Sequence, residues 1–259
     1  MKKGIFYLIL FAAMLPGCKE DVPTVFAEPD GIYFSAPADS ITYTFAKYPN
    51  RVSDTLKIPV TVLGKATDKD RTITLEKLSG TDINSTEGVH YKLLQPYTIP
   101  AGKVTTMLPV VIYRTGDMDS LTINFKFQLK ANENFVSGIS AKTSLKIKVG
   151  YLQKPPTWGD LSGLPWAGYQ PNFGTWTKTK YKVILDALYD PVSDTTVSEF
   201  PGTRFAGQFP AVYNQYLQLV KNYIRTRYPG NYSIPRGIGA TLRDPDNRDS
   251  VIIVGPANY

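Results

Sequence analysis

Between Gly31 and Val149 apolar residues alternate with polar ones. They fall at Ile41, Tyr43 and Phe45, at Leu56, Ile58, Val60 and Val62, and at Ile73 and Leu75. The alternation returns at Leu121, Ile123, Phe125, Phe127 and Leu129, and again at Leu145, Ile147 and Val149. A period of two puts every apolar side chain on one face of an extended strand, so each run predicts a half-buried antiparallel strand. Turn-forming groups separate the runs: Tyr48-Pro49-Asn50, Ser79-Gly80, Pro100-Ala101-Gly102 and Thr115-Gly116-Asp117. Such groups bend the chain between strands that must pair. About seven or eight short strands in about 120 residues predict an immunoglobulin-like β-sandwich over residues 31–152.

The alternation stops at Gln153-Lys154-Pro155-Pro156, where two prolines stiffen a linker that joins no ladder. Beyond it, Tyr181, Ile184, Leu185 and Leu188 stand at helical spacing, although Lys180 to Leu185 also fits a strand. Ala211 to Tyr228 is a plainer helix. Its apolar pairs are 212/213, 216/217, 219/220 and 223/224, with Asn214, Gln215, Gln218, Lys221, Asn222 and Arg225 opposite, and Pro229-Gly230 ends it. Val251-Ile252-Ile253-Val254 predicts a closing strand. Residues 156–259 therefore read as a small α+β domain, and the fold class as mainly β.

The N-terminus carries a different signal. Met1-Lys2-Lys3 followed by the apolar run Ile5 to Leu15 reads as a signal peptide over residues 1–17. The run is shorter than the roughly 20 residues a membrane-spanning helix needs. Leu15-Pro16-Gly17-Cys18 resembles the bacterial lipobox, which implies that Cys18 is acylated and becomes the mature N-terminus. Two or three acyl chains, at about 0.8 kcal/mol per buried methylene, would anchor the chain to lipid. Residues 18–30 are then a lipidated N-terminus and tether. Lys19-Glu20-Asp21 resembles the basic-acidic-acidic signal that sends Bacteroidetes lipoproteins to the cell surface. The expected location is the outer membrane, lipid-anchored and facing the medium.

Composition narrows the chemistry. Cys18 is the only cysteine, so disulfides and thiolate metal sites are excluded. The chain holds 29 basic and 22 acidic side chains, two of the basic ones in the leader, and the excess is spread out. No basic block tracks a phosphate backbone, so nucleic acid is not an expected partner. The single histidine, His90, lies in a predicted turn without a Gly-x-Ser-x-Gly motif and reads as a turn residue. Asp160, Asp186, Asp190 and Glu199 could supply a glycosidase carboxylate pair, but solvated loop and helix-end roles are the commoner use. No catalytic residue is assigned and no enzymatic activity is expected. Asp244 to Ser250, "DPDNRDS", has alternating oxygen ligands yet lacks the glycine and the distant glutamate of a calcium loop; it reads as a surface turn. Neither metal nor cofactor is expected. Trp158, Trp166, Tyr169, Phe173 and Trp176 crowd into one Gly- and Pro-rich stretch and are the candidate ligand-binding residues. Ring faces match the C–H face of a sugar, and peptide grooves use similar surfaces. The alternative is that the rings fill the core of a small domain.

Two resemblances add to this reading. "GVHYKLLQPYTIPAGKVTTMLPVVIY" resembles the Calx-β pattern, with His90 where that pattern has a calcium-binding aspartate, so no calcium site is carried over. "GIYFSAP", "LKIPVTVLGKATDKDRTITLE", "EGVHYKLL" with "YTIPAGKVTTMLPVVIYRT", and "FGTWTKTKYKVILDAL" resemble a family of uncharacterised Bacteroidetes surface lipoproteins, a domain of unknown function encoded beside SusC-like TonB-dependent transporters and SusD-like lipoproteins. The resemblance implies an accessory or ligand-binding subunit of an uptake system for glycans or peptides, with those two proteins as partners. An independent adhesin or structural lipoprotein is the alternative, and a carboxylate-dependent glycoside hydrolase a more distant one.

Overall fold

The computed structural model describes residues 29–155, 158, 173–199 and 211–255, with side chains from residue 215 in the last stretch. The sandwich strands among them are β1 Gly31–Phe34, β2 Ser40–Thr44, β3 Ser53–Leu63, β4 Arg71–Leu78, β5 Tyr91–Leu93, β6 Tyr97–Ile99, β7 Thr105–Tyr113, β8 Ile123–Lys130, β9 Val136–Ser137 and β10 Ser144–Gly150. They form two five-stranded sheets, β5-β7-β3-β1-β9 and β2-β10-β8-β4-β6. Pairing is antiparallel except at β1/β9 and β2/β10, which run parallel. This is the predicted immunoglobulin-like sandwich.

Alternation builds its core. β8 buries Ile123, Phe125, Phe127 and Leu129 and turns Asn124, Lys126, Gln128 and Lys130 outward. Leu121, counted with this run in the sequence, is instead exposed and lies ahead of the strand. Tyr91 from the facing sheet stacks on Phe125 at 5.0 Å and meets Phe127 edge-on at 5.4 Å. Such ring pairs add about 0.5–1.5 kcal/mol beyond the area they bury.

The register also fixes the two ends of the sandwich. β1 starts at Gly31 opposite Leu63, the last residue of β3, and Asp30 there pairs with Arg71 at the start of β4. β10 ends at Gly150 opposite Thr44, beside the turn that leads into Ser53 and the start of β3. The chain therefore enters the sandwich at one end, at Asp30, and the C-terminal region leaves from the other. β3 has 11 residues, which at about 3.3 Å each separates the two ends by about 36 Å.

The C-terminal region packs on that far end through α1 (Lys178–Ala187) and α2 (Ala211–Arg227), and the hydrophobic core continues without a break from the sandwich into both helices. Thr177 caps α1 by accepting from Lys180 N at 3.2 Å, and Tyr181, Ile184, Leu185 and Leu188 face inward. This resolves the helix-or-strand ambiguity in favour of helix. On α2 the buried stripe is Leu217, Val220, Lys221 and Ile224. Lys221 was placed on the polar side by sequence; it is 1 % exposed and its ammonium lies 5.8 Å from the Tyr232 ring, while Leu219 is exposed instead. The closing strand is shorter than predicted: β11 (Arg243–Asp244) pairs only with β12 (Ser250–Val251). Ile252 and Val254 are buried without joining a ladder, held by Ile252 N donating to Leu242 O and by Val254 N donating to the Tyr232 hydroxyl. Among the described residues no helix is long and apolar enough to cross a membrane.

Candidate functional site

The structure divides the aromatic cluster. Trp158 and Phe173 are fully buried, with ring centres 6.3 Å apart, and Tyr181 of α1 meets Trp158 edge-on at 5.9 Å. Trp158 Nε1 donates to Gly174 O at 3.0 Å. Neither ring can present a face to a ligand, so these two candidates are corrected to core residues of the junction. Trp166 and Tyr169 lie outside the described residues, as do Cys18, Lys19, Glu20 and Asp21. Trp176 is different. It is half-buried, immediately ahead of the α1 cap, and lines a cleft of about 420 Å³ between the far end of the sandwich and the C-terminal region.

Four separated segments build this cleft. Asp119 and Ser120 come from the turn after β7, Gln153 from the end of the sandwich, Trp176 and Lys178 from the start of α1, and Asp246 from the turn between β11 and β12. Gln153 fixes the floor by donating through Nε2 to Met118 O at 2.7 Å and Leu121 O at 3.0 Å. Lys178 Nζ donates to Ser120 Oγ at 3.1 Å across the junction and stands 3.9 Å from Asp246 Oδ1. The lining carries both charges and one aromatic ring, while most of its exposed wall is apolar, with Leu152 and Trp176 contributing; a mainly apolar wall with a few placed polar groups is the usual make-up of a ligand site.

Trp176 has one further property. Its Nε1 is buried without a hydrogen-bond partner among the described residues, as are Arg71 Nε, Ser85 Oγ and the Tyr91 hydroxyl. An unmade bond of this kind costs about 1–3 kcal/mol. Buried unpaired groups are rare enough in native proteins that each needs a reason. Three of these four groups lie in the sandwich away from the cleft, so the unmade bond does not by itself mark a binding position.

The "DPDNRDS" turn is used to build α1. Asp244 is buried and its Oδ2 accepts from the Thr177 hydroxyl at 2.6 Å, while Oδ1 accepts from Asp246 N at 3.1 Å. Asp246 Oδ2 accepts from the Thr179 hydroxyl at 3.2 Å. A carboxylate beside a helix N-terminus is favoured by the exposed N–H groups there. The oxygen-rich spacing in the sequence thus reflects helix capping. Among the described residues no group of three or more His, Cys, Asp or Glu could hold a metal ion.

The other titratable candidates sit in separate local contacts. Asp186 pairs with Lys182 at 2.8 Å, and Asp190 accepts from Val192 N at 3.0 Å and from the Ser193 hydroxyl at 2.7 Å within its own turn. Glu199 is exposed, and Asp160 lies outside the described residues. His90 closes the turn before β5: Nδ1 accepts from Thr86 N at 2.8 Å, so Nε2 carries the proton and donates to Asp117 Oδ2 at 3.0 Å.

The Thr115 hydroxyl holds the Asp117 carboxyl below its ordinary range; burial opposes it, and the contact with His90 adds to the lowering. A carboxyl whose folded value is depressed contributes stability above its unfolded value, and that contribution is lost as pH falls through the folded one. Asp117→Asn should lower the unfolding midpoint at neutral pH, and its deficit should shrink as pH drops below about 4. Thermal unfolding of both proteins between pH 7 and pH 3 checks this.

The comparisons with known proteins can now be set beside this geometry. A family model described as a domain of unknown function (DUF4843) matches residues 26–189, well over half of the chain, and the chain belongs to that family. Three solved structures share weak likeness. A two-domain Bacteroides fragilis protein of unknown function is 14 % identical with a TM-score of 0.37, over 48 % of this chain and 46 % of its own. A Bacteroides ovatus protein, provisionally described as carbohydrate-binding, is 13 % identical with a TM-score of 0.35, over 46 % and 36 %. CBD12 from CALX1.2 is 14 % identical with a TM-score of 0.34, over 47 % and 45 %. The chain thus spans less than half the length of each. No curated protein matches it.

Proposed function

We propose that this DUF4843 protein is a lipid-anchored, surface-exposed subunit that binds a glycan or peptide in the Trp176 cleft without turning it over, in the service of a SusC/SusD-like uptake system. The observation that carries the binding reading is the cleft itself: a half-buried indole beside Asp119, Lys178 and Asp246. Its position adds support. The lipobox at Cys18 would tether the chain at the end where β1 begins, and the sandwich then holds the cleft about 36 Å farther out. A spacer of that kind suits a module that meets cargo or a transporter away from the lipid. The uptake-system part of the reading comes from the sequence resemblance.

The test is to tag the C-terminus, solubilise the outer membrane in mild detergent and identify what copurifies at stoichiometric yield. Recovery with a SusC-like barrel and a SusD-like lipoprotein is the expected result. Recovery of the protein alone would overturn the uptake assignment and favour an independent adhesin or binding protein.

A further inference from the structure

The two outer faces of the sandwich differ in chemistry. On the β5-β7-β3-β1-β9 sheet the outward positions include Pro59, Met107, Pro109 and Val111, with Lys57 and Lys92 as cations. On the other sheet β8 turns Lys126 and Lys130 outward and β10 turns Lys146 and Lys148 outward. Lysines that look scattered along the chain are thus gathered by period two and by register. Lys126 stands directly opposite Lys146, and Lys148 follows two residues along the same strand. Opposed residues have Cα atoms about 4.5–5.5 Å apart and alternate residues on a strand about 7 Å apart, so three ammonium groups share one small area. Two ordinary explanations for such lysines fail. Lysine on an edge strand blocks unwanted pairing, but β8 and β10 are interior strands in the order β2-β10-β8-β4-β6. Outward lysines are also used to pair with acids. Glu76 lies 3.5 Å from Lys130 and Asp82 lies 2.6 Å from Lys146, yet Lys126 and Lys148 have no salt bridge or hydrogen bond among the described residues. Lys146 holds the Asp82 carboxyl below its ordinary range, and the charge of Lys126 adds to this, so one acid faces both lysines. Like charges directly opposed across a ladder are destabilising, which sets this arrangement against the stability of the sheet. Lys148 then leads into a second cleft of about 220 Å³ that Thr42, Thr44 and Thr122 line, with Lys154 and Glu199 at its other wall.

We propose that this face, from Lys126 across Lys146 to Lys148 and the Thr42 cleft, binds an acidic polysaccharide, a sugar polymer bearing carboxylate or sulfate groups along its length. Charge complementarity sets the sign of the ligand, and the groups around the lysines set its class. Ser40 and Thr42 lie opposite Lys146 and Lys148 on β2, and Asn124 lies opposite Lys148 on β8. Hydroxyls and amides both donate and accept, as bonding to sugar hydroxyls requires. Single-stranded nucleic acid is held by aromatic rings on which its bases stack, and the outward positions of β2, β8 and β10 carry neither a ring nor an arginine. Protein interfaces are depleted in lysine and centre on buried aromatic or arginine anchors, which this face does not offer. The inference rests on the sheet alone and does not depend on the Trp176 reading.

The experiment measures fluorescence anisotropy of labelled polygalacturonate, heparin, neutral dextran and single-stranded DNA with the detergent-purified full-length protein. The expected result is binding of at least one of the two acidic polysaccharides, weakening as salt rises, with no binding of dextran and DNA held at least about tenfold more weakly. Lys126→Gln combined with Lys148→Gln should weaken binding of the acidic polymer about tenfold or more, because two charge-assisted contacts are lost. Its unfolding midpoint should stay at or above that of the parent, since a like-charge contact is relieved. Lys57→Gln combined with Lys92→Gln makes the same change of net charge on the opposite sheet and should leave binding unchanged. Binding of neither acidic polymer, DNA or dextran bound as tightly, or equal loss from the two double variants would each overturn the proposal. Binding that is lost in Trp176→Ala and kept in the Lys126 and Lys148 variant would also overturn it, while leaving the cleft reading standing.

Discussion

Trp158→Ala is expected to cost about 3–5 kcal/mol of stability, read as a large fall in the unfolding midpoint, whatever it does to ligand binding. The ring is fully buried against Phe173 and Tyr181, and its N–H is bonded to Gly174 O. Truncation removes three kinds of contact at once: the buried area, the ring pairs and the satisfied donor, and it leaves Gly174 O without its partner. The loss falls where the sandwich core runs into the helices. Trp158→Phe keeps most of the volume and should lose much less. A midpoint for Trp158→Ala within a degree or two of the parent would show that this ring is not a core element.

The second large effect is at the other end of the molecule. Asp30 Oδ2 accepts from Arg71 Nη1 at 2.5 Å, and the Arg71 side chain is only 6 % exposed. Its Nη2 donates to Lys103 O at 3.3 Å and its guanidinium lies 5.0 Å from the Phe135 ring. Asp30→Ala would leave a buried cation with that carbonyl as its only strong acceptor among the described residues, where its Nε is already unpartnered. Breaking such a pair from one side costs about 3–5 kcal/mol, with the partial exposure of Asp30 favouring the lower part of that range. Adding Arg71→Met should recover most of the loss, because the pair itself is worth little against an apolar replacement. Urea unfolding of the single and double variants measures both. A double variant no more stable than Asp30→Ala would contradict the argument. Asp30 directly precedes β1, so this ion pair also secures the entry of the chain into the sandwich.

How far the sequence foretold these arrangements depends on how local the physics is. The sandwich was legible because one face of each strand is buried, and burial imposes period two on residues such as Phe125 and Phe127. The turn groups then set where the strands end. The last predicted strand misled because Ile252 and Val254 are apolar for burial under the 228–242 loop, with no ladder involved. Lys221 misled for the opposite reason: a long aliphatic stem lets a charged residue occupy an inward position on α2 with its ammonium near an aromatic face. The aromatic stretch could not be sorted by spacing, since Trp158 and Trp176 share the same Gly- and Pro-rich surroundings and only the packing of α1 sends one inward. The cleft was invisible altogether. Asp119, Gln153, Trp176 and Asp246 are brought together by tertiary packing; of these Trp176 stands out as a tryptophan among glycines and prolines, and Asp246 only as part of an oxygen-rich turn.

The central claim is that the Trp176 cleft binds a ligand and does not transform it. Its most direct test is calorimetric titration of the detergent-purified full-length protein with neutral oligosaccharides, acidic oligosaccharides and short peptides, repeated with Trp176→Ala. Binding of at least one class is expected, with a loss of about tenfold or more in the variant, measured at a temperature where its unfolding curve shows it still folded, and full recovery of the ligand unaltered after prolonged incubation. Absence of binding in every class, equal affinity in the variant, or cleavage of the ligand would contradict it.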